Sequence, residues 1–229
     1  MSAIAGERCE GPAPGEKTVS GARPALQERS RRTRDAILKA VARALDKDVL
    51  DAATVHDLAA AAGVSIGAFY GRFENKDAAI AALYHERRSQ LIRKLTLLNA
   101  RATSLDIWTE QAVSVAMDYA ATNRSLITRA ARPDAVIDSI KKAARTDSLA
   151  LAEDLAKALG RLAPEIPENT LPEVAAFAIA MLGGMTRDAA VFSASLLGGK
   201  TTRPWFEQTL AGAIKSFVLS KPVGAAQPD

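Results

Sequence analysis

The sequence predicts an all-α protein: a three-helix amino-terminal domain holding a helix-turn-helix, and a larger helical domain behind it. Three observations lead there. Residues 54–77 read as two short capped helices joined by a tight turn. Beyond residue 77, apolar residues recur at helical spacing in segment after segment. No stretch alternates apolar and polar residues convincingly enough to make a strand.

The first 25 or so residues are rich in Gly, Pro and Ser and lack apolar periodicity, so residues 1–28 are predicted to be a disordered tail. They hold no apolar core behind a basic start, and hence no secretory signal. The single cysteine, Cys9, lies here and can form no intrachain disulfide, which suits a reducing cytoplasmic setting. The first helix is placed at 34–45, RDAILKAVARAL. Arg29, Arg31, Arg32 and Arg34 lead into it. Two readings stand: a solvated basic helix start, or a flexible arm lying along phosphates or in a minor groove.

Thr54 and Asp57 have the spacing that caps a helix, although Asp is shorter than the usual second member. Leu58, Ala59 and Ala62 follow as an apolar stripe, and Gly63 supplies the left-handed residue that stops the helix. Ser65 can cap the next helix, where Phe69 and Phe73 are four apart and face inward. The small Ala59 lets the two helices cross closely. A helical hairpin in any all-α domain could share these features. Tyr70, Arg72 and Lys76, polar or basic residues along and just after the second helix, favour a nucleic-acid role.

Residues 34–77 resemble the amino-terminal domain of TetR-family transcriptional repressors. The matching places are Thr54, Asp57, Leu58, Ala59, Ala62-Gly63-Val64-Ser65, Gly67, Phe69-Tyr70, Phe73 and Asn75-Lys76-Asp77. The resemblance implies a dimer with one DNA-binding head per subunit, residues 29–77, and a ligand-sensing and dimerising body, residues 78–220, before a tail at 221–229. It implies that Ser65, Tyr70, Arg72 and Lys76 anchor phosphates, helped by Thr54, while Ile66, Gly67 and Ala68 face the bases. The partners so implied are a palindromic double-stranded DNA operator, a small-molecule inducer that releases it, and a second copy of the chain.

Three departures from the family pattern stand out. Val49 replaces the usual Gly at the end of the first helix, so that turn must be built differently. Leu45 and Leu50 stand where aromatics are common. Ile66, Ala68 and Gly71 remove polar or aromatic side chains from the second helix, leaving thymine methyl contacts and DNA shape as sources of specificity.

Charge is distributed to match. Residues 29–94 carry 13 Lys and Arg against 8 Asp and Glu, whereas residues 95–229 carry 14 of each. The surplus lies on the head, where phosphates would use it.

Behind the head, a long helix is predicted from Asp77 to about Leu98, with Ile80, Leu83, Tyr84, Leu91 and Leu95 inward. Further helices are placed near 104–121, 124–130, 133–161, 171–197 and 203–219. The breaks fall at Asn123, Pro133, Pro164–Pro167 and Gly198-Gly199. The last two helices are apolar enough to form a four-helix dimer bundle, though they could also pack within one subunit. The longest apolar run, Val174 to Met185, is too short to span a bilayer and reads as a buried helix, so no membrane partner is expected.

Trp108, Met117, Tyr119, Phe177, Met181 and Met185 are candidates to line a ligand pocket, each competing with an ordinary core role. Arg124, Arg129 and Arg132 could meet an acidic ligand or hold carboxylates of the same chain. His56 and His85 are far apart and form no metal pair, and no phosphate loop or nucleophile elbow is present. The expectation is therefore a non-enzymatic, ligand-responsive repressor needing no cofactor or metal. Two alternatives remain: a sequence-tolerant DNA-binding protein, and a helical small-molecule-binding protein with a vestigial head.

Overall fold

The computed structural model describes residues 22–130, 135–192 and 202–220, and among them every regular element is helical. In order these are α1 (Ala22–Asp46), α2 (Val55–Ala62), α3 (Ile66–Tyr70), α4 (Lys76–Arg101), α5 (Leu105–Thr122), α6 (Arg124–Ala130), α7 (Ala135–Leu162), α8 (Leu171–Phe192) and α9 (Arg203–Leu219). A single 3-10 turn, Glu168–Thr170, precedes α8.

Two apolar cores organise them. The head core gathers Ile37, Leu38 and Val41 of α1, Leu58 and Ala59 of α2, Phe69 of α3, and Ala79, Ile80 and Leu83 of α4. Phe69 and Phe73 face inward as expected, with ring centroids 5.9 Å apart. Phe73 lies beyond the end of α3, however, and its amide bonds Phe69 O at 2.9 Å. Leu126 of α6 enters the same core, so the body reaches into the head. The body core is built from the far half of α4 with α5, α7, α8 and α9. Burying one large apolar side chain contributes about 1.5–3 kcal/mol, so these clusters dominate the stability of both units.

Helix α4 belongs to both cores. It starts on an Asn75 cap, whose side chain accepts from Ala78 N, and contributes Ile80 and Leu83 to the head, then Leu91, Leu95 and Leu98 to the body. A buried polar chain ties its end to the neighbouring helices. Trp108 Nε1 donates to Asn99 Oδ1 at 2.7 Å, and Asn99 Nδ2 donates to Asp154 Oδ2 at 2.8 Å.

The predicted helices 104–121, 124–130, 133–161 and 203–219 appear within two residues of their expected ends. Residues 193–197 of the expected 171–197 helix lie outside the described residues, as do Pro133, Gly198-Gly199 and the tail at 221–229.

Two features differ from expectation. Helix α1 begins at Ala22, so the boundary at residue 28 falls inside a helix. Pro24 occupies its first turn, where a missing amide proton is tolerated. Glu28 bonds both Arg31 (2.8 Å) and Arg32 (3.0 Å). Arg34 crosses to Glu86 of α4 at 2.9 Å. The arginine run is therefore helical and largely engaged within the chain, which favours the helix-start reading over the arm.

The second difference is the turn after α1. Its left-handed residue is Asp48, at φ 55°, one position before Val49. Val49 N bonds Ala44 O and Asp48 N bonds Leu45 O, both at 3.0 Å, the paired closure of a Schellman turn. Asp tolerates that backbone better than Val does, which is how the chain ends α1 without glycine.

One segment, Glu168–Val191, is long and apolar enough by composition to cross a membrane. Val174, Ala175, Ala178, Ile179 and Leu182 of that segment are buried in the body core, but only 33% of its most apolar window is buried, and Phe177 and Met185 are exposed, so one face of the expected buried helix is open.

Candidate nucleic-acid interface and body cavity

Local chemistry builds the head's exposed edge. Thr54 and Asp57 form the full capping box: Thr54 Oγ1 accepts from Asp57 N at 3.2 Å, and Thr54 N donates to Asp57 Oδ2 at 2.9 Å. The Thr54 hydroxyl also donates to the carboxylate at 2.7 Å. That bond, followed by the Thr54 amide, holds the Asp57 carboxyl below its usual range. Gly63 closes α2 at φ 67°, and Ser65 Oγ caps α3 by accepting from Ala68 N at 3.1 Å.

Around this turn, Thr54, Ser65, Gly67 and Arg72 are exposed, and Ala68 is half-buried. Ile66 and Tyr70 stand 44% and 55% exposed. Of the sequence-predicted residues, Thr54, Ser65, Ile66, Gly67, Tyr70 and Arg72 are thus exposed on the head, with Ala68 half-buried.

Lys76 departs from its expected role. Its Nζ is 3.0 Å from each of three backbone carbonyls, Leu50 O, Asp51 O and Ala53 O. An ammonium has three protons, so this donor set is filled by the loop joining α1 to α2. Lys76 braces the head from within, and the geometry does not aim it at a phosphate.

The body contains a cavity of about 740 Å³. Tyr84, Arg88, Leu91 and Leu95 line it from α4, Tyr119 from α5, Ile140, Lys141, Arg145 and Ser148 from α7, and Ile179, Leu182 and Arg187 from α8. Burial pushes the Tyr84 phenol up, and pushes Tyr119 up to about 12 with Tyr84 adding to the effect. Both are neutral hydrogen-bonding groups near neutral pH.

Of the residues singled out for a pocket, only Tyr119 lines this cavity. Trp108 is core, 1% exposed and committed to Asn99. Met117 and Met181 pack against the body core. Phe177 lies on the outer side of α8, 52% exposed, its ring 4.5 Å from that of Phe217. Met185 is exposed too. These choices rested on residue type, whereas the cavity's chemistry comes from Arg88, the i, i+4 pair Lys141 and Arg145, and Arg187, which lie on three different helices.

The middle arginines settle differently. Arg129 pairs with Asp51 of the head across a smaller cleft between α6 and the α1–α2 loop. It holds a carboxylate of its own chain. Arg132 lies outside the described residues. His56 and His85 are both exposed, and among the described residues no group of three or more His, Cys, Asp or Glu is arranged to hold a metal.

Residues 37–83 match the family described as bacterial regulatory proteins, tetR family. No curated protein matches the chain by sequence. Solved structures share the fold over most of both chains. A chain from Mesorhizobium loti MAFF303099 assigned to the TetR family is 18% identical, with a TM-score of 0.66, covering 83% of this chain and 96% of that one. A TetR/AcrR-family regulator from Thermobifida fusca YX-ER1 is 14% identical, TM-score 0.59, covering 83% and 98%. FadR from Bacillus subtilis, solved with stearoyl-CoA, is 15% identical, TM-score 0.56, covering 83% and 97%.

Proposed function

We propose that this chain, whose amino-terminal domain is that of the TetR family of bacterial regulatory proteins, is a cytoplasmic, dimeric, ligand-responsive transcriptional repressor. The observation that carries the reading is α4: one unbroken helix contributes Ile80 and Leu83 to the head core and Tyr84, Arg88, Leu91 and Leu95 to the cavity wall. A ligand that prefers one setting of α4 biases the position of the head, and nothing else need move.

Dimerisation is supported by the apolar groups left exposed on the last two helices, Phe177 and Met185 on α8 and Trp205 and Leu219 on α9. Two copies pairing these faces would make a four-helix bundle and set two heads on a palindromic operator. In each head, Ser65, Tyr70 and Arg72 contact phosphates beside Thr54, while Ile66, Gly67 and Ala68 meet the bases. The stearoyl-CoA held by Bacillus subtilis FadR supports a body of this fold enclosing a long apolar inducer.

The test is a Tyr70→Ala, Arg72→Ala double variant, compared with wild type for operator binding by fluorescence anisotropy. Binding is expected to weaken at least tenfold with the fold intact. Unchanged binding would leave a small-molecule-binding body with a vestigial head. A second reading, sequence-tolerant DNA binding, is favoured by the lack of hydrogen-bonding side chains at Ile66, Gly67 and Ala68. Equal affinity for operator and random DNA at fixed salt would select it.

A further inference from the structure

Arg88 carries a charge that the protein only partly uses. Its side chain is 16% exposed. Nη2 donates to Ser148 Oγ at 2.7 Å and to Ala144 O at 3.2 Å. Nε is buried and makes no hydrogen bond among the described residues. Asp147 of α7 approaches that nitrogen only to 3.6 Å and is itself 40% exposed, so its charge is shared with solvent.

Three more cations, Lys141, Arg145 and Arg187, border the same cavity, and among the described residues no carboxylate lines it. Arg187 has a solvent-exposed contact with Asp188 at 3.6 Å. Lys141 and Arg145 have no ion pair among the described residues. The Tyr84 and Tyr119 hydroxyls, raised by burial and so protonated, likewise have no hydrogen-bond partner there. Leu91, Leu95, Ile140, Ile179 and Leu182 make the remaining wall apolar.

We infer that the cavity takes an amphipathic organic anion, its acidic head held by Arg88, Lys141 and Arg145 and its hydrocarbon part lying along Leu91, Leu95, Ile179 and Leu182. A neutral chain would leave Lys141 and Arg145 without an ion pair among the described residues and Arg88 with only its partly exposed Asp147 contact, and a cation would be repelled by the set. Charge-assisted bonds to an anion are about twice as strong as neutral ones, which gives the discrimination its sign. Such a ligand would bridge α4 to α7 at a point five residues past Leu83, the last α4 residue in the head core. Only this last consequence rests on the repressor reading. Occupancy is a property of the body alone.

The experiment titrates the full chain, without DNA, with decanoate, decanoyl-CoA, decan-1-ol and decyltrimethylammonium at one ionic strength, read by calorimetry. At least one anion is expected to bind about tenfold tighter than the alcohol, with no measurable binding of the cation. Tighter binding of decanoate identifies a free acid as the source of the charge, and tighter binding of decanoyl-CoA a phosphorylated thioester. A Lys141→Ala, Arg145→Ala variant, changed only at exposed side chains, should lose about tenfold in anion affinity and none for the alcohol, with its thermal midpoint checking the fold. Equal affinity for the alcohol, no binding of either anion, or an unaffected double variant overturns the assignment. Anion binding that leaves operator affinity unchanged counts against the repressor reading and not against the ligand class.

Discussion

Replacing Lys76 with Met separates two roles that the same residue could play. Methionine keeps the apolar stem and removes the ammonium, which sits 3.0 Å from Leu50 O, Asp51 O and Ala53 O. A hydrogen bond to a charged group contributes about 1.5–3 kcal/mol net. The three bonds do not sum to three times that, because one of them is exposed and the other two only part-buried, so water can replace part of what is lost. A loss of about 2–3 kcal/mol is the reasonable magnitude. It would appear as a lower urea midpoint for the head, followed by circular dichroism and by hydrogen exchange in α1 and α2. The same variant would then be titrated with operator at several salt concentrations under conditions where it is folded. A structural lysine leaves the slope of log affinity against log salt unchanged. A phosphate contact would make it shallower by roughly 0.9 for each lysine removed. An unchanged urea midpoint together with a shallower slope would refute the bracing role and return Lys76 to the DNA surface.

Asp48→Gly should raise stability by about 0.5–1 kcal/mol, because Asp48 holds a left-handed backbone at φ 55° that glycine adopts freely; denaturant melts decide it, and a loss of stability would mean that the side chain itself contributes. Asn99→Ala should cost about 2–4 kcal/mol by orphaning buried Trp108 Nε1 and the Asp154 carboxylate, measurable as a large drop in the body's unfolding midpoint with a changed tryptophan emission. Tyr84 and Tyr119 bind their protons more tightly folded than unfolded, so their contribution is complete below pH 10, the unfolded value, and is lost as pH rises above it, toward about 12 for Tyr119. An absorbance titration at 295 nm should show late phenolate formation that becomes earlier in urea. Coincident folded and unfolded curves would contradict the burial of both rings.

What could be read from the sequence was local. The Thr54 and Ser65 caps, the Gly63 stop and the inward pair Phe69 and Phe73 depend on neighbours within four residues, so spacing alone places them. The same holds for α9, predicted at 203–219 and found at Arg203–Leu219. The early start of α1 was hidden by the Gly- and Pro-rich composition before it, since Pro24 is a breaker in mid-helix but harmless in a first turn. The substitution at Val49 announced an altered turn, yet only the backbone reveals that Asp48 takes the left-handed position. Lys76 lies where a family pattern suggests DNA, and its partners are 23 to 26 residues away. The cavity was the least legible part. Arg88, Tyr119, Lys141 and Arg187 come from four helices, and aromatic or methionine identity does not distinguish a wall from a core, as Trp108 and Phe177 both show.

Selecting bound sequences from a random double-stranded DNA pool, with the purified full chain at moderate salt, decides whether the protein is a specific dimeric DNA-binding regulator. One palindromic motif should be recovered, and its binding should be lost in the Tyr70→Ala, Arg72→Ala variant. Salt-sensitive retention of DNA without any enriched motif, or no retention at all, would contradict it.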